Sequence, residues 1–194
     1  GTWLVLMPDI TEALFANKIV LVTGCMASGK TTALIKAARM TYNTWSTKPA
    51  AIRHSLDAGR TNAWESRDGD IWDSVLSDST DDLISKLYEV SGLAIVDELH
   101  FFKPSQKLLD VLWQRQATHR PTLLGGLNLD YLGKPFETTA DIASIANLVV
   151  SLEARCTSCN KSARFTWKQP GDKHRIEVGF DQYEPRCYEC WKKN

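Results

Sequence analysis

Gly24-Cys-Met-Ala-Ser-Gly-Lys-Thr31 fits G-x-x-x-x-G-K-[ST], the sequence pattern of a phosphate-binding loop. The apolar residues 18–23 before it predict a buried strand, and residues 32–40 after it predict a helix. A glycine-rich turn in this position lets backbone N–H groups surround phosphate oxygens at a helix N-terminus. The alternative is a tight turn that matches by chance, but both flanks favour a site for ATP.

The residue types inside this loop predict individual roles. Lys30 would reach the outer phosphates, and the Thr31 hydroxyl would be a ligand of Mg²⁺. The other expected contacts to the triphosphate are Gly24, Ser28, Gly29 and Thr32. We interpret Cys25 as a residue that fills space within the loop.

Strands and helices are predicted to alternate along the chain. The predicted strands are residues 50–55, 93–96, 122–127 and 149–152, and the predicted helices are residues 81–90, residues 141–148 and a segment that opens at Pro104. Ser79 or Thr80 is placed to cap the helix at 81–90. Residues 56–80 are polar and predict a long loop. This order predicts an α/β fold with a mostly parallel sheet, helices on both faces and ligands beyond the carboxyl ends of the strands.

Two carboxylates follow the predicted strand at 93–96. Asp97 is placed to hold Mg²⁺, directly or through water, as the acidic partner of the phosphate-binding loop. Glu98 can orient or deprotonate the group that attacks the γ-phosphate. The alternative is a solvated pair at a strand end, but the loop upstream favours the catalytic interpretation. The pair alone does not distinguish attack by water, as in an ATPase, from attack by a substrate hydroxyl, as in a kinase.

The cysteines form two C-x-x-C pairs near the end of the sequence, Cys156 with Cys159 and Cys187 with Cys190. Each pair can form a turn that directs both thiolates at one metal, and four thiolates make a closed tetrahedral zinc site. A redox disulfide is the weaker interpretation, because neither pair precedes a helix in a thioredoxin-like unit. We therefore expect structural Zn²⁺, with an α/β nucleotide-binding domain at residues 1–150 and a small zinc-ribbon domain at residues 151–194.

Composition restricts the function classes further. The 194 residues contain 23 basic and 23 acidic side chains, so no net charge attracts nucleic acid or a membrane surface. No apolar run approaches the ~20 residues that span a bilayer. The apolar start at residues 1–7 lacks a basic segment and a small-residue cleavage site, so we expect no signal peptide and a cytoplasmic location.

Four segments, in this order, resemble the zinc-containing thymidine kinases. They are Gly24-Cys-Met-Ala-Ser-Gly-Lys-Thr-Thr32, Val96-Asp-Glu-Leu-His-Phe-Phe102, Gly126-Leu-Asn-Leu-Asp-Tyr-Leu-Gly-Lys-Pro-Phe136 and Tyr183-Glu-Pro-Arg-Cys-Tyr-Glu-Cys190. With the Cys156 pair, the resemblance extends from about Lys18 to the end of the sequence. It implies transfer of the ATP γ-phosphate to the 5′-hydroxyl of thymidine. It also implies a homotetramer of RecA-like P-loop domains, each with a zinc-anchored lasso loop.

The resemblance also implies roles for single residues. Lys30 and Thr31 serve the triphosphate and Mg²⁺, and Glu98 matches the general base. The residues that match the nucleoside pocket are Met26, Phe101, Leu127, Tyr131, Thr166 and Tyr183. The segment between Cys159 and Cys187 matches the lasso, which contacts the base mainly through backbone groups. The alternative for Leu127 and Phe101 is a place in the hydrophobic core.

The sequence departs from the family pattern at three places. Leu99-His100 stands where members usually carry Gly-Gln, so His100 is either a hydrogen-bonding substitute for Gln or a structural residue. The family motif Asp-x-Arg appears as Asp57-Ala-Gly-Arg60, and both residues are candidates for the phosphate-transfer site. The usual Ser-His is replaced within Ser66-Arg-Asp-Gly69. These changes indicate a divergent member, from a virus or phage, and leave room for a modified pyrimidine deoxynucleoside.

Two other function classes use the same motifs. An ATPase motor or switch would employ Lys30, Asp97 and Glu98, but it has no need for a zinc-anchored loop over its site. A P-loop ATPase with a zinc-ribbon nucleic-acid-binding module needs clustered basic residues, and the zero net charge argues against it. A deoxynucleoside kinase with thymidine and ATP as its partners is the favoured class.

Overall fold

The computed structural model describes residues 2–57, 63–66, 69, 71–170 and 182–193. Seven strands form one sheet with the order β3-β4-β2-β5-β6-β1-β7. Their bounds are β1 Ile19–Gly24, β2 Ala50–His54, β3 Ala63–Glu65, β4 Ile71–Ser77, β5 Ala94–Val96, β6 Thr122–Leu127 and β7 Leu148–Leu152. Every pairing is parallel except the one between β3 and β4. The predicted α/β fold with a mostly parallel sheet is confirmed.

Helices cover both faces of the sheet, as predicted. Helices α1 (Thr2–Phe15) and α2 (Lys30–Trp45) bury side chains such as Ile10 and Leu34 against one face. Helices α3 (Thr80–Glu89), α4 (Gln106–Ala117) and α5 (Glu137–Ile145) cover the other face. Strands β1 and β6 are buried along their whole length, which explains their continuous apolar sequences.

The long loop predicted for residues 56–80 is wrong. A 3₁₀ turn at Ser55–Asp57, the strands β3 and β4 and the first residue of α3 lie within it or at its edges. Strand β4 lies one position in from the edge of the sheet, and it mixes polar and apolar residues on both its exposed and its buried side, so no regular pattern marked it as a strand. The predicted cap of α3 is confirmed, because Ser79 Oγ accepts the N–H of Asp82 at 3.0 Å.

Two helix positions also need correction, and the helix at the start of the sequence was missed. The helix predicted at residues 141–148 is α5, which begins earlier, at Glu137, and ends at Ile145. Helix α4 begins at Gln106, two residues after Pro104. The apolar start of the sequence, which carried no helix prediction, belongs to α1. Within the described ranges, every helix falls short of the length and apolar character that crossing a membrane requires.

The end of the chain adds two small antiparallel pairs and a short helix. Strand β8 (Ala154–Arg155) pairs with β9 (Ser162–Ala163), and β10 (Phe165–Lys168) pairs with β11 (Tyr183–Arg186). Helix α6 (Tyr188–Lys192) follows. The domain division predicted at residue 150 falls inside β7 and stays a prediction.

Candidate active site

The phosphate-binding loop lies between the end of β1 and the start of α2. A Cβ atom on Gly24 would lie 2.6 Å from both the carbonyl oxygen of Leu152 and Oγ of Ser28, so a side chain there would collide. Lys30 Nζ donates to the carbonyl oxygen of Cys25 at 2.7 Å and lies 3.4 Å from Ser28 Oγ. The lysine charge therefore lies in the curve of the loop, where motifs of this kind bind phosphate oxygens.

The first turn of α2 completes the loop. Gly29 precedes the helix with a φ of 93°, in the left-handed region that glycine enters without strain. Thr31 is partly buried and Thr32 is buried behind it. The unpaired N–H groups at a helix start, together with the helix dipole, favour an anion at this position. The loop residues predicted from sequence are thus gathered at one helix N-terminus.

Asp97 is buried at the carboxyl end of β5 and carries three hydrogen bonds. Its Oδ2 accepts from Thr31 Oγ1 at 2.7 Å and from Trp64 Nε1 at 2.9 Å, and its Oδ1 accepts from the N–H of Glu98 at 2.8 Å. Burial, and then the nearby Glu98 carboxylate, raise the pKa of Asp97 to about 6 in spite of these donors. A carboxylate beside a threonine hydroxyl is an oxygen donor set that fits Mg²⁺.

Glu98 follows Asp97 with a φ of 57°, a left-handed conformation that is uncommon for any residue except glycine. Its side chain is 25% exposed, and Oε2 lies 3.1 Å from Nε2 of His100. Nδ1 of His100 in turn accepts the backbone N–H of Leu127 at 3.0 Å. The predicted general base is therefore connected through one imidazole ring to the end of β6.

The phosphate-binding loop also contacts the cysteine-bearing end of the chain. The N–H of Met26 donates to Thr166 Oγ1 at 3.2 Å, which brings together two predicted nucleoside contacts. The thiol of Cys25 donates to the carbonyl oxygen of Ala163 at 3.3 Å. Burial raises the pKa of that thiol, so it stays a protonated donor. Cys25 does more than fill space, because it joins the loop to β9.

Tyr131 and Tyr183, two further predicted nucleoside contacts, are both neighbours of Lys168. Lys168 Nζ lies 4.9 Å from the centre of the Tyr131 ring, and Lys168 is opposite Tyr183 in the pairing of β10 with β11. Trp191 of α6 donates its Nε1–H to the carbonyl oxygen of Tyr131 at 2.9 Å. The same indole stacks on Phe165, with ring centres 4.7 Å apart. The loop that carries Tyr131 is thus fixed by the C-terminal helix.

The remaining predicted pocket residues lie around His100. Leu127 is buried at the end of β6, and Phe101 is partly buried at the end of the 3₁₀ turn Leu99–Phe101. The ring centre of His100 lies 4.5 Å from that of Phe101 and 5.1 Å from that of Phe136. These three rings line a cleft with Phe102, Lys103, Pro104, Glu137 and Thr138.

Sequence reasoning missed three residues that contact the predicted site. Trp64 lies in the segment predicted as a loop, and the pairing that brings its indole to Asp97 has no local sequence signal. Trp191 directly follows the last cysteine, and Phe136 ends the third segment quoted above. Trp191 and Phe136 are aromatic residues beside or inside the motifs, which is a sequence signal for a ligand site. The side chain of Asp57 and all of Arg60 lie outside the described residues, as do residues 171–181 of the predicted lasso.

The four cysteines predicted as metal ligands come together. Their sulfur atoms all lie within 4.8 Å of one another, and Sγ of Cys159 is 3.7 Å from Sγ of Cys187. Zn–S bonds of about 2.3 Å in a tetrahedron imply sulfur–sulfur distances of about 3.8 Å. A side-chain hydrogen bond with Cys187 raises the pKa of Cys190 to about 12. The donor set fits a metal such as zinc.

A family model described as thymidine kinase matches residues 17–191. The chain belongs to the thymidine kinase family. A thymidine kinase of Pyrobaculum aerophilum is 34% identical over 182 residues, covering 87% of this chain and 95% of the relative. One of Mycoplasma capricolum is 31% identical over 198 residues, covering 93% and 92%. One of Myxoma virus is 28% identical over 183 residues, covering 92% and 98%.

Membership of the thymidine kinase family makes the chain an ATP-dependent deoxynucleoside kinase, which is a transferase. Among solved structures, the flagellar accessory protein FlaH from Methanocaldococcus jannaschii matches 92% of each chain, with a TM-score of 0.47 and 9% identity.

Proposed function

We propose that this kinase transfers the γ-phosphate of ATP to the 5′-hydroxyl of thymidine or a close pyrimidine deoxynucleoside, with Glu98 as the general base. The contact of the Thr31 hydroxyl with Asp97 at 2.7 Å carries the proposal, because it joins the phosphate-binding loop to the strand end that also bears Glu98. Phosphoryl transfer needs little covalent chemistry from the protein, so positioning and charge stabilisation are its main contributions.

The phosphate side of the reaction is assigned to the loop and Asp97. Backbone N–H groups from Gly24 to Thr32 hold the phosphate oxygens, and Lys30 neutralises charge on the outer phosphates. Thr31 and Asp97 would hold Mg²⁺, which supplies charge neutralisation at the β- and γ-phosphates when it is bound. The hydrogen bonds from Trp64 and from the N–H of Glu98 fix the Asp97 carboxylate.

The base side of the reaction is assigned to residues from both ends of the chain. The thymine ring would lie among Met26, Phe101, Leu127, Tyr131, Thr166 and Tyr183. Support comes from the contacts that already join them, such as Met26 N–H to Thr166 Oγ1 and the placement of Tyr131 and Tyr183 around Lys168. The four cysteines would hold Zn²⁺, which in a closed site orders the segment and takes no part in the chemistry.

Glu98 completes the reaction by removing the proton from the attacking hydroxyl. Its carboxylate is partly exposed, so a substrate can reach it, and it is next to Asp97.

The family resemblance further implies a homotetramer, which light scattering coupled to size exclusion tests directly.

Turnover with defined acceptors tests the function. Purified protein with ATP and Mg²⁺ is given thymidine, deoxyuridine, deoxycytidine or no nucleoside, and ADP release is followed. We expect release only with a pyrimidine deoxynucleoside, and a loss of about 10²–10⁴ in kcat for Glu98→Gln, because that variant keeps size but removes the base. ADP release that needs no nucleoside and rises with added DNA selects a P-loop ATPase with a nucleic-acid-binding ribbon instead.

A further inference from the structure

His100 has no assigned role in the proposed reaction, yet it contacts the proposed general base Glu98 directly. It is 7% exposed and lies between the aromatic rings of Phe101 and Phe136, on the turn that follows Glu98. Both of its ring nitrogens have partners: Leu127 on one side and Glu98 on the other. A buried imidazole that is hydrogen-bonded at both nitrogens has one defined ring orientation.

The two contacts determine where the ring carries its hydrogen. Nδ1 accepts the backbone N–H of Leu127 at 3.0 Å, so Nδ1 itself carries no hydrogen. The hydrogen of the neutral ring is then on Nε2, 3.1 Å from Oε2 of Glu98, and a carboxylate oxygen can only accept. Neutral His100 is therefore a hydrogen-bond donor to Glu98.

We propose that His100 is a positioning residue: its Nε2–H holds the Glu98 carboxylate in the orientation that takes the proton from the substrate hydroxyl. The proposal rests on the proposed function, because it requires Glu98 to be the base. The Glu98 side chain is long and partly exposed, so the hydrogen bond from His100 restricts the rotamers that it populates. The hydrogen bond from His100 fixes the plane of the carboxylate.

The same ring connects the base to the nucleoside pocket. Leu127, whose N–H orients His100, is one of the proposed thymine contacts and ends β6 in the interior of the sheet. The backbone of Glu98 is in a left-handed conformation outside any strand. Through His100, however, its carboxylate is held in place relative to β6. Displacement of a catalytic group by about 1 Å costs up to about 10²-fold in rate, so a fixed position of the Glu98 carboxylate matters for turnover.

Four variants of the full chain test this role: His100→Phe, His100→Gln, Glu98→Gln and the double variant His100→Phe/Glu98→Gln. Phe keeps an aromatic ring but offers no hydrogen bond, whereas Gln can accept from Leu127 and donate to Glu98. We expect His100→Phe to lower kcat by about 10–100-fold with KM for thymidine and ATP changed less than about threefold. His100→Gln should stay within about tenfold of wild type. In the Glu98→Gln background, His100→Phe should change kcat by less than about threefold.

Several results would overturn the role. They are an equal loss from His100→Phe in both backgrounds, a raised KM with kcat preserved, or no loss at all. Should His100→Phe not fold, nitrogen-15 NMR of the wild-type imidazoles decides, with the His100 signals identified by their absence in His100→Gln. We expect hydrogen on Nε2, and hydrogen on Nδ1 contradicts the proposal. A wild type without thymidine-dependent turnover refutes the proposed function, and normal wild-type turnover with an equally fast His100→Phe variant refutes only the positioning role.

Discussion

The phosphate-binding loop and the cysteine-bearing end of the chain are held in place by different interactions. The loop follows β1, which is paired on both sides inside the seven-stranded sheet. The C-terminal end consists of two short strand pairs, α6 and a cluster of four cysteines. It reaches the site through individual hydrogen bonds, such as Met26 to Thr166 and Trp191 to Tyr131.

From this difference we expect the binding of the two substrates to depend on different parts of the fold. Burial of apolar strands stabilises the loop cooperatively with the whole sheet. The C-terminal end contributes few side chains to the buried apolar core, and we expect its order to depend on metal binding. ATP binding should therefore survive damage to the cysteine cluster, and thymidine binding should not.

The largest effect is expected at the loop. Lys30→Ala removes the charge in the curve of the loop without touching the core, so kcat should fall by about 10²–10³-fold or more while the thermal unfolding temperature stays unchanged. Lys48→Ala is the matched control, because Lys48 is an exposed lysine paired with Asp73. Turnover and a thermal scan are measured together. Near-normal turnover in folded Lys30→Ala protein contradicts the assignment of the loop.

The next effect separates the two regions. Cys187→Ser removes one of four metal ligands, so metal content should fall and the affinity for thymidine should drop by about 10–100-fold. The affinity for ATP should change less than about threefold, because the loop belongs to the sheet.

Metal analysis and separate titrations with ATP and thymidine measure these changes. Ser158→Ala is the control: it changes a residue inside the first C-x-x-C turn but removes no cysteine, so metal content and both affinities should stay unchanged. An equal loss of both affinities shows that the two regions are not independent. Protein purified without chelators that contains no metal contradicts the zinc site.

A smaller effect is expected where the regions meet. Trp191→Phe keeps an aromatic ring against Phe165 but removes the hydrogen bond to the carbonyl oxygen of Tyr131. One neutral hydrogen bond contributes about 0.5–1.5 kcal/mol, so KM for thymidine should rise by about 2–10-fold with KM for ATP unchanged. Trp113→Phe, at an exposed tryptophan of α4, is the control. An unchanged KM for thymidine shows that α6 does not position Tyr131.

The smallest effect concerns stability at the phosphate side. The pKa of Asp97 is about 6 in the folded protein and 3.8 ordinarily, so the folded state binds the proton more tightly. The destabilisation by the buried charge is complete above about pH 6 and disappears as the pH falls towards 3.8. Without ATP and Mg²⁺, the free energy of unfolding relative to Asp97→Asn should rise by about 1–2 kcal/mol from about pH 8 to about pH 5. A difference independent of pH contradicts a raised pKa of Asp97.

The parts of the molecule with local signals were predictable from sequence. The loop motif, the acidic pair after β5 and the cysteine spacing each require particular residues at fixed separations, and the structure brings the loop to Asp97 and the four cysteines together. Strands β3 and β4 were not predictable in this way, because neither shows a continuous apolar run or a strict alternation of apolar and polar residues. The contacts of Trp64 and Trp191 depend on tertiary pairing, which no short pattern encodes.

The pairing of β1 has a consequence for how the protein is made. β1 comes first among the strands, yet its neighbours are β6 and β7: Ile19 pairs with Thr122, and Val20 pairs with Leu148. A ribosome therefore releases the complete phosphate-binding motif long before either neighbouring strand exists. Parallel pairing between such distant segments is slow to form because a long loop must close first. A nascent chain that stops before β6 contains every residue of the motif but neither of the strands that pair with β1.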